Sequence, residues 1–173
     1  IYENVRVIKL PEDFHGKKAA ITFGVSMARF PYILCTDADG VVKNDWLSLH
    51  GSKFKQESTA LNTGVVLPET DGSVLTHFQF LDFVATMAIT ANGIFRKSYF
   101  LANGANISFK KEAFNAVNGY EGNEHLASGD DVFLANKIAT SAIGKIGFIK
   151  SSDGVVTTKS ESSWPSLIQQ RKR

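Results

Sequence analysis

Cysteine is nearly missing from this sequence: Cys35 stands alone among 173 residues. A disulfide framework is thereby excluded, as is a zinc set built from several Cys and His. The scarcity fits a reducing, cytoplasmic setting, and within the apolar run "YILCT" the lone thiol reads as a small buried residue, not a nucleophile. Charge of one sign is missing too. Nineteen Lys and Arg against seventeen Asp and Glu leave a formal net charge of +2, and the lysines are scattered, so no basic stripe points to nucleic acid. The one local basic run is "RKR" at the end. No apolar run is long enough for a membrane span: Phe78 to Ala102 contains Asp82, Asn92, Arg96 and Lys97, short of the roughly 20 apolar residues required. Repeats, low-complexity linkers, an initiator Met and a signal-like segment are also absent, and the chain is expected to be a soluble piece of a longer protein.

What is present suffices for one domain with a real core, at 43% apolar and 21% charged residues. "NVRVIKL" has the character of a short strand closed by Pro11. "GKKAAITFGVSMARF" places Ala20, Phe23, Met27 and Phe30 at helical spacing, "YILCT" reads as a buried strand, and "NDWLSLHGSKFKQ" as a short helix interrupted by Gly51. "LNTGVVLPE" is strand-like up to Pro68. Phe78, Leu81, Ala85, Ala88, Ile89 and Phe95 then mark one face of a longer helix, expected to pack on a sheet, with a surface resting on a membrane or on another part of the longer protein as the second reading. "NISFKK" predicts a strand, "KEAFNAVNGY" a helix closed by Gly119, and "SGDDVFLANKIATSA" a capped helix with acidic residues in its first turn. "KIGFIKS" and "GVVTTKS" read as a pair of short strands, and "SSWPSLIQQRKR" starts a last helix with Pro165 in its first turn. Strands alternating with helices predict an α/β domain with a largely parallel sheet, whose ligands bind beyond the carboxyl ends of strands.

Asp37 and Asp39 fall at such an end, in "YILCTDADGVV". Two hard carboxylates on a short loop suit Mg²⁺ or Mn²⁺ shared with a substrate's phosphates; the plainer reading is a turn, for which Asp and Gly after a strand are common. An EF-hand is excluded, because Val42 stands where that loop needs glycine. Asp130 and Asp131 form a second acidic pair at a predicted helix start, able to supply a general base or simply to cap the helix. Lys17, after Gly16 at the start of a helix, offers a point charge and nearby backbone N–H groups to an anion.

Taken together, these segments resemble glycosyltransferase family 2. "HGKKAAITFGVSMARFPYILCTDADGVVKNDWL" is similar to that family's stretch of a Gly-Lys helix, a strand and a D-x-D loop. "ANGANISFKKEAFNAVNGYEG" resembles its acceptor-side segment, "SGDDVFLANKI" its (E/D)-D-x-x-L base motif, and "QQRKR" the Q-x-x-R-W motif of membrane-associated members without the Trp. The resemblance implies a GT-A-like, mixed and mainly parallel sheet flanked by helices, lacking its N-terminal strands. It spans one partial catalytic domain over 1–173, with a D-x-D half over 1–70 and an acceptor and base half over 71–173. It implies Asp39 as the main ligand of Mg²⁺ or Mn²⁺, Asp37 on the metal or the ribose, and Lys17 on the donor diphosphate. Asp131 would be the general base, with Asp130 supporting it or binding acceptor. Gly104, Asn106, Gln170 and Arg173 would lie on the acceptor side. The implied reaction inverts the anomeric carbon of a nucleotide-sugar, a UDP-sugar first of all. The acceptor would be a saccharide or lipid-linked, and the longer parent would be anchored at the cytoplasmic face of a bacterial inner membrane, with no nucleic-acid partner.

Departures accompany the likeness. The "xSVIIPxYN"-like first strand and the acidic second strand are missing, and with them much of the base-binding subsite; Thr22 stands where the family often has Asn. Two other readings stay open on sequence alone. "DADGVV" also fits a haloacid-dehalogenase-like phosphohydrolase with Asp37 as nucleophile and Asp39 as acid/base, although a first motif so far from the chain's start, and "NEHLAS" where an apolar strand should precede the later acids, fit that family poorly. The scaffold alone would also suit a non-catalytic carbohydrate-binding remnant.

Overall fold

The computed structural model describes residues 5–55, 58–123 and 129–172. Its elements are α1 (Gly16–Met27), β1 (Tyr32–Cys35), α2 (Trp46–Lys55), β2 (Thr59–Gly64), β3 (Val66–Pro68) and α3 (Val74–Arg96), followed by β4 (Ile107–Lys110), α4 (Lys111–Ala116), α5 (Asp130–Thr140), β5 (Lys145–Ile149), β6 (Val156–Thr158) and α6 (Trp164–Arg171). Four strands form a mixed sheet in the order β1-β4-β2-β5. β4 runs antiparallel to both neighbours, while β2 and β5 are parallel, so three of the four strands share one direction. Phe109 on β4 is registered with Ile33 on one side and Leu61 on the other. These residues meet Leu134, Ala135 and Ile138 of α5 and Phe114 of α4 in the main core. Phe109, Leu61, Leu134 and Ile138 are fully buried, each contributing about 1.5–3 kcal/mol.

A second, two-stranded parallel sheet pairs β3 with β6 around Val66, Val156 and Ala105. Its position matters for function, because β6 brings Thr158 beside the loop that follows β1. Val41 of that loop exchanges backbone hydrogen bonds with Thr157.

Several expectations are corrected. The described residues 5–10 form no strand; Asn4 lies outside the described residues. α1 packs through Val25 and partly Ile21, not through Met27 and Phe30, which are exposed. α2 passes through Gly51 without a break. The run from Leu61 to Pro68 is divided between two sheets, and β5 and β6 pair with β2 and β3 instead of with each other. Helix α4 ends at Ala116, and Gly119 at φ +47° closes the turn with its N–H on the Phe114 carbonyl. The largest correction concerns α3. The apolar face expected to pack on a sheet points outward: Phe78, Leu81, Ile89 and Phe95 are exposed, while Thr76, Gln79, Met87, Thr90, Gly93 and Ile94 face the protein. By length and composition α3 is the one helix among the described residues that meets the requirement for crossing a membrane.

Candidate active site

β1 delivers its chain end to a tight turn in which the Gly40 N–H donates to the Asp37 carbonyl. A side chain at Gly40 would come within 2.5 Å of the Thr36 hydroxyl and 3.1 Å of the Asp37 carbonyl, so the turn requires glycine. This geometry holds Asp37 and Asp39 at the rim of a cleft. Lys17, in the first turn of α1, donates to Asp37 Oδ1 at 2.6 Å. Asp39 Oδ2 accepts from the Thr158 hydroxyl at 3.1 Å.

The second acidic pair opens α5. Gly129, at φ +82°, occupies the cap position without a side-chain cap bond; Ser128 lies outside the described residues. Asp131 Oδ2 accepts the Gly104 backbone N–H at 2.5 Å, and its Oδ1 accepts the Val132 N–H at 3.1 Å. Burial pushes the Asp131 carboxyl above the usual carboxylate range; those amides and Lys17 pull in the opposite direction. A carboxylate raised in this way is closer to the proton affinity a general base needs near neutral pH. Asp130 is engaged differently, in an ion pair with Lys18 at 3.5 Å and a hydrogen bond from Asn123 Nδ2 at 3.2 Å.

The two pairs meet in space. A cavity of about 290 Å³ is lined by Lys17, Asp37, Asn103, Gly104, Tyr120, Asp130 and Asp131. Asp37 and Asn103 also line a neighbouring polar cavity of about 430 Å³ with Asp39, Thr158, Glu161 and Gln170. Gly104 forms the saddle between the clusters: a Cβ there would meet Lys17 Nζ at 2.9 Å and Asp131 Oδ2 at 3.4 Å.

Asn106, expected on the acceptor side, is a correction. Its side chain is fully buried and faces the scaffold. Its amide nitrogen donates to the carbonyls of Val65 and Gly154, and its Oδ1 meets Trp46 Nε1 and His50 Nε2 at 2.9 Å each. Gln170 lines the larger cavity and donates to Glu161 Oε1 at 3.1 Å. Arg173 lies outside the described residues. Cys35 is partly buried in the core, with its thiol pushed up to about 11 chiefly by burial.

Sequence reasoning missed Asn103, Thr158, Glu161 and Gln79. Gln79 is buried in α3 and grips Glu161 at both backbone atoms: Nε2 donates to the carbonyl at 3.0 Å and Oε1 accepts the N–H at 2.8 Å. The segment 159–162 that lines the larger cavity is thereby tied to α3. A polar residue breaking the inward face of a long apolar helix was the available signal.

A divalent ion is tested by the donor set. Asp37, Asp39 and the Thr158 hydroxyl supply hard oxygens, while the Asn103 side-chain oxygen accepts the Ala105 N–H at 3.0 Å. Among the described residues no group of three His, Cys, Asp or Glu is placed to hold a metal. Two carboxylates fit an ion that completes its shell with phosphate oxygens and water, as Mg²⁺ does, better than an all-protein cage.

Mixed sheet, flanking helices and cleft at the strand ends define a GT-A-type α/β domain. The chain belongs to glycosyl transferase family 2, whose model matches residues 1–116. That match sets aside the phosphohydrolase reading of Asp37. Among solved structures the chain resembles a mannosyltransferase, PcManGT from Pyrobaculum calidifontis, in complex with GDP-Man and Mn²⁺, with a TM-score of 0.66 and 18% identity. The alignment covers 91% of this chain and 40% of that one, so the chain spans less than half of that protein's length. No curated protein sequence matches it.

Proposed function

We propose that this domain carries the reaction centre of an inverting, metal-dependent glycosyltransferase that moves a sugar from a nucleotide-sugar, UDP-linked in the first instance, to a saccharide or lipid-linked acceptor. The parent protein works in bacterial polysaccharide synthesis at the cytoplasmic face of the inner membrane. The observation that carries the reading is the convergence of Lys17, Asp37 and Asp131 on one cavity. Family membership and the GDP-Man and Mn²⁺ held by the structural neighbour support a nucleotide-sugar donor and a divalent ion.

In this reading Asp39 and Asp37 would hold the ion, which would neutralise charge growing on the departing diphosphate. Lys17, now on Asp37, turns to a diphosphate oxygen. Asp131, held by the amides of Gly104 and Val132, takes the proton from the acceptor hydroxyl. The oxygen then forms its bond to the anomeric carbon as the carbon–oxygen bond to the diphosphate breaks, with inversion and no covalent intermediate. Asp130, paired with Lys18 and Asn123, supports the helix start, while Gln170 and Glu161 face the acceptor.

The test is nucleotide release by a parent-length chain, since this piece alone is expected to be weakly active or inactive, from UDP-, GDP- and dTDP-sugars with Mn²⁺ or Mg²⁺, with a phosphomonoester run in parallel. Turnover of one donor that requires the metal and is lost in both Asp39→Asn and Asp131→Asn is expected. Phosphomonoester cleavage without donor turnover overturns the proposal, and absence of both leaves a sugar-binding scaffold.

A further inference from the structure

The outward face of α3 is largely apolar, while its inward face mixes Thr76, Gln79 and Thr90 with Met87, Gly93 and Ile94, unlike a helix that only packs on a domain, whose apolar stripe faces inward. Val74 is 81% exposed, Phe78 50%, Leu81 65%, Ile89 52% and Phe95 80%. These residues fall on one side of the 23-residue helix, a stripe about 35 Å long. Helix α6 widens it: the Trp164 ring lies 5.5 Å from that of Phe78, and both Trp164 and Ile168 are exposed. Singly exposed apolar residues are ordinary, whereas a continuous band across two helices marks a surface that something covers.

The border of the band is cationic. Arg96 and Lys97 end α3, Lys150 lies 5.9 Å from the centre of the Phe95 ring, and Arg171 and Lys172 end α6. Asp82, the acidic residue within α3, is ion-paired with Arg171, whose guanidinium also stands over Phe83. Asp71, just before α3, is turned into its first turn by bonds from the Ser73 N–H and the Thr76 hydroxyl.

We propose that the joint face of α3 and α6 docks on an anionic lipid bilayer, with both helices lying in the interface plane. Apolar side chains enter the acyl boundary, Trp164 sits at headgroup depth, and the terminal Arg and Lys residues meet lipid phosphates. A protein partner would equally cover the apolar stripe, but the cationic border complements a uniformly negative surface. The inference rests on the membrane placement proposed above and is independent of the transfer chemistry. It has a consequence for the cleft: Gln79 ties α3 to the cavity segment at Glu161, so a bilayer holding α3 also holds one wall of the site.

The experiment is co-sedimentation of the chain with phosphatidylcholine vesicles, with and without phosphatidylglycerol, and needs no substrate. Binding to the anionic vesicles is expected, weakened by salt. Arg96→Ala with Lys97→Ala should reduce it about tenfold or more, since each basic residue near such a surface contributes roughly fivefold. The combined change Leu81→Gln, Ile89→Gln and Phe95→Gln should reduce it about a hundredfold, while Phe30→Gln, in the exposed loop after α1, should leave it unchanged. All these side chains are exposed, and circular dichroism checks that the variants fold; if the triple variant does not, the charge pair alone decides. Equal binding to both vesicle types, or no binding together with self-association that the triple variant abolishes, overturns the proposal. Donor turnover measured in parallel separates its failure from that of the transferase reading.

Discussion

The two acidic pairs are built differently. Asp37 and Asp39 sit on a turn at the cleft rim, each engaged by a side chain, Lys17 or Thr158. Asp131 is largely buried and is held by backbone amides. Side chains can exchange their partners when a charged ligand arrives, whereas backbone amides stay where the fold puts them. The first pair is therefore suited to taking up an ion and a diphosphate, the second to holding one oxygen at a fixed place with a raised proton affinity. Within the second pair the two neighbours differ as well: both line the cavity, but Asp130 is paired with the Lys18 ammonium while Asp131 is held by backbone amides.

The largest effect expected is that of Asp131→Asn, a loss of about 10²–10⁴ in the rate of transfer, the usual weight of a general base. The amide keeps an oxygen for the Gly104 N–H, so the melting temperature should barely move, and added metal should restore nothing. In the wild type the acidic limb of kcat/KM should lie above the ordinary carboxylate range, because burial raises the Asp131 carboxyl and the base works only once deprotonated. An acidic limb in the ordinary carboxylate range would mean that the buried Asp131 carboxyl is not the base.

Asp39→Asn comes next, with about 10²–10³ lost from the electrostatic stabilisation of the leaving group. Here the contrast sharpens: part of the loss should return at higher Mn²⁺, because a weakened ligand set can be filled by mass action. If neither variant responds to Mn²⁺, the rim pair does not hold the ion. Gly104→Ala follows, with a loss of about tenfold. Its methyl would press on Lys17 Nζ and Asp131 Oδ2 from the saddle between the clusters, displacing groups whose placement matters at the scale of an ångström. An unchanged rate in this variant would mean that the clusters act without being held together.

Much of this was legible in the sequence. Short motifs with local geometry, the Gly-Lys helix start, the Asp37-to-Asp39 turn and the acidic start of α5, fall where their residue types predict. What failed depended on distance along the chain. Thr158 and Glu161 reach the cleft only because β6 joins β3 and Gln79 grips a segment 82 residues away, and no local pattern encodes such a pairing. The α3 reading shows a second limit. Periodicity identifies an apolar face but not which side it meets, and here Thr76, Gln79 and Thr90 turn inward beside Met87, Gly93 and Ile94. Asn106 shows a third. A Gly-x-Asn motif gives no sign of which residue turns to the ligand, and two residues apart Gly104 faces the cavity while Asn106 faces the scaffold.

That last contrast gives the smallest effect, read in stability alone. Asn106 Oδ1 meets His50 Nε2, while His50 Nδ1 meets the Ser108 hydroxyl at 2.7 Å, all of it buried. Burial lowers the His50 pKa below its ordinary value, outweighing the bond to Asn106. A lowered histidine pKa means that the unfolded chain takes up a proton before the folded one does. As pH falls below about 6.5 the unfolded state is favoured, by at most about 1.4 kcal/mol per pH unit from this one group, until the folded-state value is reached. Urea midpoints measured between neutral pH and about pH 5 should therefore fall, and the part due to this group should vanish in His50→Gln, which keeps an amide between Asn106 and Ser108 without a titrating ring. The rate of transfer at neutral pH should change little in that variant if Asn106 belongs to the scaffold. A marked loss of acceptor affinity at unchanged stability would return Asn106 to the acceptor side of the cleft.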